Sequence, residues 1–159
     1  MNRHWYLIGE RAGARIFEQE GIKLELRLIQ AFENHLGTLK TSELVSDRQG
    51  RSDSSGANGH NAVGKDDSAR EHVLEKFAAE LGAFLEHEAQ KNRFSSLVLV
   101  AEPHVLGVLK KSMGKVTSKL EREVVVKDLA HVSNEDMAIH LKNVLSLREE
   151  ILPAYSVVE

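Results

Sequence analysis

An α/β fold, one mixed β-sheet flanked by helices, is what this sequence predicts, and three features predict it. Leu24, Leu26 and Leu28 alternate with Lys23, Glu25 and Arg27 in the period of a half-buried strand. From Val73 to Leu85 apolar residues recur at three and four, the period of a helix. Leu97 to Ala101, LVLVA, is a short unbroken apolar run with the composition of a central strand covered on both faces. Strands come first and then alternate with helices. That order implies hairpin-linked strands in the first half of the chain and parallel crossovers in the second.

Element by element, His4 to Ile8 is aromatic and β-branched enough for a buried strand, and Arg11 to Gly13 supplies a turn. Ala14 to Gln19 is the returning strand, with Arg15, Phe17 and Gln19 on one face and Ile16 and Glu18 on the other. The Leu24 to Leu28 strand follows the turn at Gly21. His35 to Val45 has apolar residues too sparse for either period. Ser46 to Ser68 is a Ser, Gly, Asp and Asn-rich stretch, expected to be a long flexible loop because it holds too little apolar surface to offset the entropy of ordering.

Ser68 followed by Glu71 has capping-box spacing, so a helix is expected to start close to Ala69, carry Val73, Leu74, Phe77, Ala78, Leu81, Phe84 and Leu85 inward, and end near Asn92. Pro103 suits the first turn of the next helix, whose face is Val105, Leu106, Leu109 and Met113. Gly107 either lets that helix pack closely or weakens it, and Gly114 ends or bends it. Glu123 to Leu129 reads as a further strand. Ser133, three residues before Asp136, is an N-cap signal for a last helix carrying Met137, Leu141, Val144 and Leu145.

The chain of 159 residues is expected to be one domain over residues 1–159, with a radius of gyration of roughly 15 Å. Hydrophobic residues at 42% and charged residues at 28% are ordinary for a globular protein. A net charge of -3 gives no global attraction to nucleic acid or anionic membrane, so such binding must come from a local patch. Cysteine is absent, which excludes disulfides, thiolate metal sites and thiol catalysis. The apolar run Trp5 to Ile8 is too short for a secretory leader, so a cytoplasmic location without membrane insertion is expected.

For chemistry the pattern is sparse. The eight histidines, His4, His35, His60, His72, His87, His104, His131 and His140, form no recognised ligand spacing, and no metal or cofactor is expected. The serines occupy no nucleophile elbow, and Gly50, Gly56, Gly59 and Gly64 have the wrong spacing for a phosphate loop, so no catalytic residue is assigned. Charge offers more. Lys110, Lys111, Lys115 and Lys119 lie between Pro103 and Lys119 with no acid among them, and Arg48 and Arg51 stand in the loop beside Asp47 and Asp53. On one side of the sheet they could hold an RNA backbone through phosphate contacts; the same lysines would equally serve as a solvated helix face.

SDRQGRS (Ser46 to Ser52), LVLVAEPHVLGVLKK (Leu97 to Lys111), KDLAH (Lys127 to His131) and GERAGARIFE in the first strand pair resemble the bacterial host attachment protein family, named as required for attachment to host cells. The family's aspartate near Gly9 and Glu10 is not matched. That family is similar to the middle domain of archaeal and eukaryotic peptide-chain release factors, which implies a release-factor middle-domain-like α/β fold. In those factors a Gly-Gly-Gln tip on a loop before a long helix promotes hydrolysis of the peptidyl-tRNA ester. Here the corresponding loop has Gln49-Gly50 and no Gly-Gly-Gln, so the catalytic residue does not carry over. The resemblance to the attachment family supplies Arg48, Gly50 and Arg51 as loop contacts. The leading expectation is a binding domain for RNA of the translation machinery, the ribosome or tRNA, through Arg48, Gly50, Arg51, Lys110, Lys111, Lys115 and Lys119. The alternatives are a protein-interaction factor supporting attachment, and a peptidyl-tRNA hydrolase.

Overall fold

The computed structural model describes residues 3–20, 25–38 and 62–143. Within them a single five-stranded sheet has the order β3-β2-β1-β4-β5. Strands β1 (Arg3–Glu10), β2 (Gly13–Glu20) and β3 (Leu26–Glu33) form an antiparallel meander. Strands β4 (Ser96–Ala101) and β5 (Glu121–Val126) extend it in parallel from β1. This is the mixed α/β sheet that the sequence predicts. A short 3-10 turn, His35–Thr38, follows β3. Helices α1 (Ala62–Gln90), α2 (Pro103–Ser112) and α3 (Lys115–Leu120) precede and follow β4. Residues 137–143 form helix α4.

Strand alternation divides the core into two layers, since successive side chains leave a strand on opposite faces. Trp5, Leu7, Ile16, Leu97 and Leu99 pack with Leu74, Phe77, Leu81 and Leu85 of α1 and with Val105 and Leu109 of α2. Tyr6, Ile8, Phe17, Val98 and Val100 pack on the opposite side with Val125, Leu129, Val132, Met137 and Leu141. All six residues of β4 are buried, as its apolar composition requires of a strand with a core on each face. Trp5 anchors the helix side: its ring stacks on Phe94 at 4.5 Å and lies 6.4 Å from Phe84, while its Nε1 donates to Glu18 at 2.9 Å. Glu18, itself buried, also accepts from Arg27 at 2.7 Å, so both carboxylate oxygens are paired.

The structure corrects the reading at three places. Helix α1 begins at Ala62, so Ser68 is inside it and is no cap, and residues 62–68, expected in the loop, are helical. Residues 46–61 lie outside the described residues. The leucine alternation of β3 is broken by a bulge: Ile16 pairs with Gln30 and Phe17 with Leu28, leaving Ile29 as the extra residue. Ile29 and Phe32, three apart, therefore both pack on the helix-side core, whereas Leu28 is exposed. Strand β5 starts at Glu121 and stops at Val126, earlier at both ends than expected. Leu129 is buried under the sheet rather than in it.

Other expectations stand. Helix α1 closes at Gln90; Asn92 takes a positive φ of 59° and Arg93 donates back to Glu88 O at 3.0 Å, a left-handed helix stop. Ser133 Oγ accepts from Asp136 N at 3.2 Å ahead of α4. Gly107 is exposed with nothing near its Cβ position, so it permits no close packing. Close approach belongs instead to Gly82, where a Cβ would sit 2.1 Å from Ser112 O, so α1 and α2 touch backbone to backbone there.

Candidate nucleic-acid interface

Helix α2 is set by both of its ends. Glu102 caps it, Oε1 accepting from Val105 N at 3.2 Å, and Pro103 occupies the first turn, where a missing N–H costs nothing. Val105, Leu106, Val108 and Leu109 turn inward, which leaves Lys110 and Lys111 exposed in the last turn, beside the negative end of the helix dipole. Met113 is extended, Gly114 stands at the N-cap of α3, and that short helix exposes Lys115 and Lys119 around a fully buried Thr117.

Gly114 has no side chain to cap α3, and Glu86 of α1 does so from outside. Its carboxylate accepts from Thr117 N at 3.0 Å, Thr117 Oγ1 at 2.9 Å and Val116 N at 3.2 Å, and from Gln90 Nε2 at 3.3 Å. These bonds, led by the backbone N–H of Thr117, hold its pKa below the ordinary value against the opposing effect of desolvation. A Cβ on residue 114 would lie 2.4 Å from that carboxyl group, so glycine is what lets Glu86 reach the helix end. No local sequence signal announces this contact, which joins residues 30 and 31 positions apart.

Lys110 pairs with Glu121 at 3.8 Å, so the acid that neutralises it comes from just beyond the acid-free stretch. Lys111, Lys115 and Lys119 have no carboxylate within ion-pairing distance among the described residues. Lys110 and Lys111 thus end α2, Lys115 begins α3, and Lys119 lies in its last turn. Arg48, Gly50 and Arg51 lie outside the described residues.

A second polar group occupies the carboxyl ends of the parallel strands. Arg15 donates to Val132 O at 2.7 Å, Asn134 Oδ1 at 2.9 Å and Leu129 O at 3.1 Å, fastening the segment after β5 across the sheet. Burial, reinforced by Asp128 and opposed by Arg15, raises the pKa of Glu10 nearby. His104 meets Glu71 at 2.7 Å across α2 and α1. At the opposite end of the strands, His4 Nδ1 lies 2.5 Å from Ser96 Oγ, and Tyr6 OH donates to Gln19 Oε1 at 2.5 Å with Arg122 at 3.5 Å. Desolvation chiefly lowers the pKa of His4 and raises that of Tyr6. Among the described residues, no three His, Asp or Glu side chains converge on a point where a metal ion could sit, and no helix is long and apolar enough to cross a membrane.

The arrangement is that of a single mixed α/β sheet with exposed lysines on two successive helices of its helical layer. Residues 5–141 match the family described as "Protein required for attachment to host cells", and the chain belongs to that family. No curated protein matches it. Among solved structures it is similar to one titled "Archaeal protein" and to the archaeal translation termination factor aRF1, each at 13% identity and a TM-score of 0.47. The match takes in 98% of this chain and 40% and 41% of theirs, so the chain spans about two fifths of their length.

Proposed function

We propose that this chain is a cytoplasmic binding domain for RNA, with the ribosome or tRNA as its partner, and that it acts by holding a phosphate backbone rather than by catalysis. The observation that carries this reading is the run of exposed lysines Lys111, Lys115 and Lys119, which have no acidic partner among the described residues, on a protein of net charge -3. A slightly acidic molecule that concentrates free cations on one helix pair binds polyanions locally and without base readout. Glu86, held by the backbone of α3, keeps its negative charge there, and the three lysines outnumber it. Arg48, Gly50 and Arg51 would add contacts from the loop.

The test is co-sedimentation with ribosomes and filter binding to a homopolymeric RNA over a salt series. Changing Lys111, Lys115 and Lys119 to Gln should lower the slope of log Kobs against log salt by roughly 0.7 per lost phosphate contact. Deleting residues 47–61, which stops short of α1, should weaken binding again. Unchanged binding and slope in both variants would sink the proposal and favour a protein-interaction factor that supports attachment.

A further inference from the structure

The amino ends of β1 and β4 meet the end of α1 and the side of α3 around a groove lined by Arg3, Ala89, Asn92, Phe94, Ser95, Val116 and Leu120, with a volume of about 490 Å³. That size is within the few hundred to about 1,000 Å³ typical of small-molecule sites. Its floor is an extension of the helix-side core: Ala89 and Phe94 are buried there, and Val116 and Leu120 of α3 pack against the same cluster. The floor is also rigid, since Phe94 is stacked on Trp5 at 4.5 Å.

One residue breaks the apolar pattern. Strand alternation places Arg3 on the face of Trp5 and Leu7, the helix side, where an apolar residue would continue the core. Its Nε is enclosed and has no hydrogen-bond acceptor among the described residues. Its backbone oxygen is satisfied by Ser95 N at 2.8 Å and Ser95 Oγ at 3.0 Å, so the strand position is secured independently of the guanidinium. The terminal nitrogens of this guanidinium are likewise bonded to no described residue, and an anion in the groove supplies them a charge-assisted bond. Lys115 and Lys119 precede Val116 and Leu120 by one residue each, about 100° round α3, and add positive potential beside the groove.

We propose that this groove is a binding site for a small amphipathic anion, a phosphate or carboxylate joined to a compact apolar or aromatic body. The acid group pairs with Arg3 and the body lies over Ala89, Phe94, Val116 and Leu120. Asn92, which also lines the groove, offers a polar group on the ligand a further partner. The site shares α3 with Lys115 and Lys119, but its acid-pairing group is Arg3, so it does not depend on an RNA contact made by the lysines.

The experiment titrates phenyl phosphate, inorganic phosphate and benzyl alcohol into the full chain and follows methyl NMR signals of Ala89, Val116 and Leu120. Phenyl phosphate should saturate these signals and bind more tightly than either half alone. Arg3→Met should weaken it about tenfold or more, the loss expected for one charged hydrogen bond. Val116→Phe, which fills the groove while leaving the backbone N–H to Glu86 intact, should abolish it. Equal binding of inorganic phosphate or of benzyl alcohol, unaltered affinity in Arg3→Met, or saturation that leaves the Ala89 and Leu120 methyls unshifted would each overturn the assignment. Because ribosome binding by Arg3→Met is measured separately, failure here leaves the RNA reading standing.

Discussion

Glu86 shows at the scale of one residue how a carboxylate on a long helix can terminate a neighbour. Because its pKa is lowered in the folded state, its stabilisation is complete above the ordinary value of 4.5 and is lost as pH falls through the lower folded value. Glu86→Gln should therefore have a lower urea midpoint than the parent at pH 7, and the gap should close in acid. Arg15 makes a comparable long-range tie. Arg15→Ala should cost about 1.5–3 kcal/mol, the range for bonds to a charged donor, and should speed amide exchange over residues 129–141 more than in β4. The sequence reading placed Arg15 on the face of Phe17, correctly, since the two share a cation–π contact at 5.8 Å. It could not anticipate the carbonyls Arg15 holds, which lie 114 to 117 residues away.

At the scale of elements, two glycines in helices give opposite expectations for the same substitution. Gly107 faces open space in α2, so Gly107→Ala should stabilise by about 0.5–1 kcal/mol by restricting the unfolded chain. Gly82 faces the backbone of Ser112, so Gly82→Ala must push α1 and α2 apart and should cost about 1–3 kcal/mol. Thermal unfolding of the two variants decides both. Periodicity identified both helices because their inward stripes are continuous, and it identified β4 because a strand with a core on each face has no polar positions to confuse the pattern. It failed at β3, where the bulge at Ile29 shifts the inward phase, and at the start of α1. Ser68 and Glu71 imitate a cap, but the helix runs back to Ala62 through residues that carry no apolar stripe.

On the scale of the molecule, the helical layer covers one face of the sheet and the segment from Leu129 to Leu141 the other. This places the exposed lysines on the outside of the helical layer and the groove at the amino ends of β1 and β4. The two sites predict separable behaviour. Replacement of Lys111, Lys115 and Lys119 by Gln should change the salt dependence of ribosome association, while Arg3→Met should leave ribosome co-sedimentation intact and alter only small-anion binding. The lysine changes touch no buried residue and should leave the parent's urea midpoint unchanged, whereas Arg3→Met removes an enclosed donor without an acceptor and should not lower it.

By itself the amino-acid sequence determined the order of the strands and longer helices, the mixed sheet and the lysine-rich stretch, because hydrophobic period and charge composition are local properties carried by neighbouring residues; it did not determine the short helix α3. The family resemblance was also legible, in motifs spread from the first hairpin to His131, and residues 5–141 match that family. Only the tertiary structure decided that Glu86 caps α3, that Glu121 neutralises Lys110, and that Arg3 stands with Phe94 and Val116 around one groove. Each joins side chains from different elements, and their meeting depends on how helices cross the sheet. A one-dimensional pattern cannot encode that distance, so the polar contacts that give this domain its sites emerge only when the layers pack.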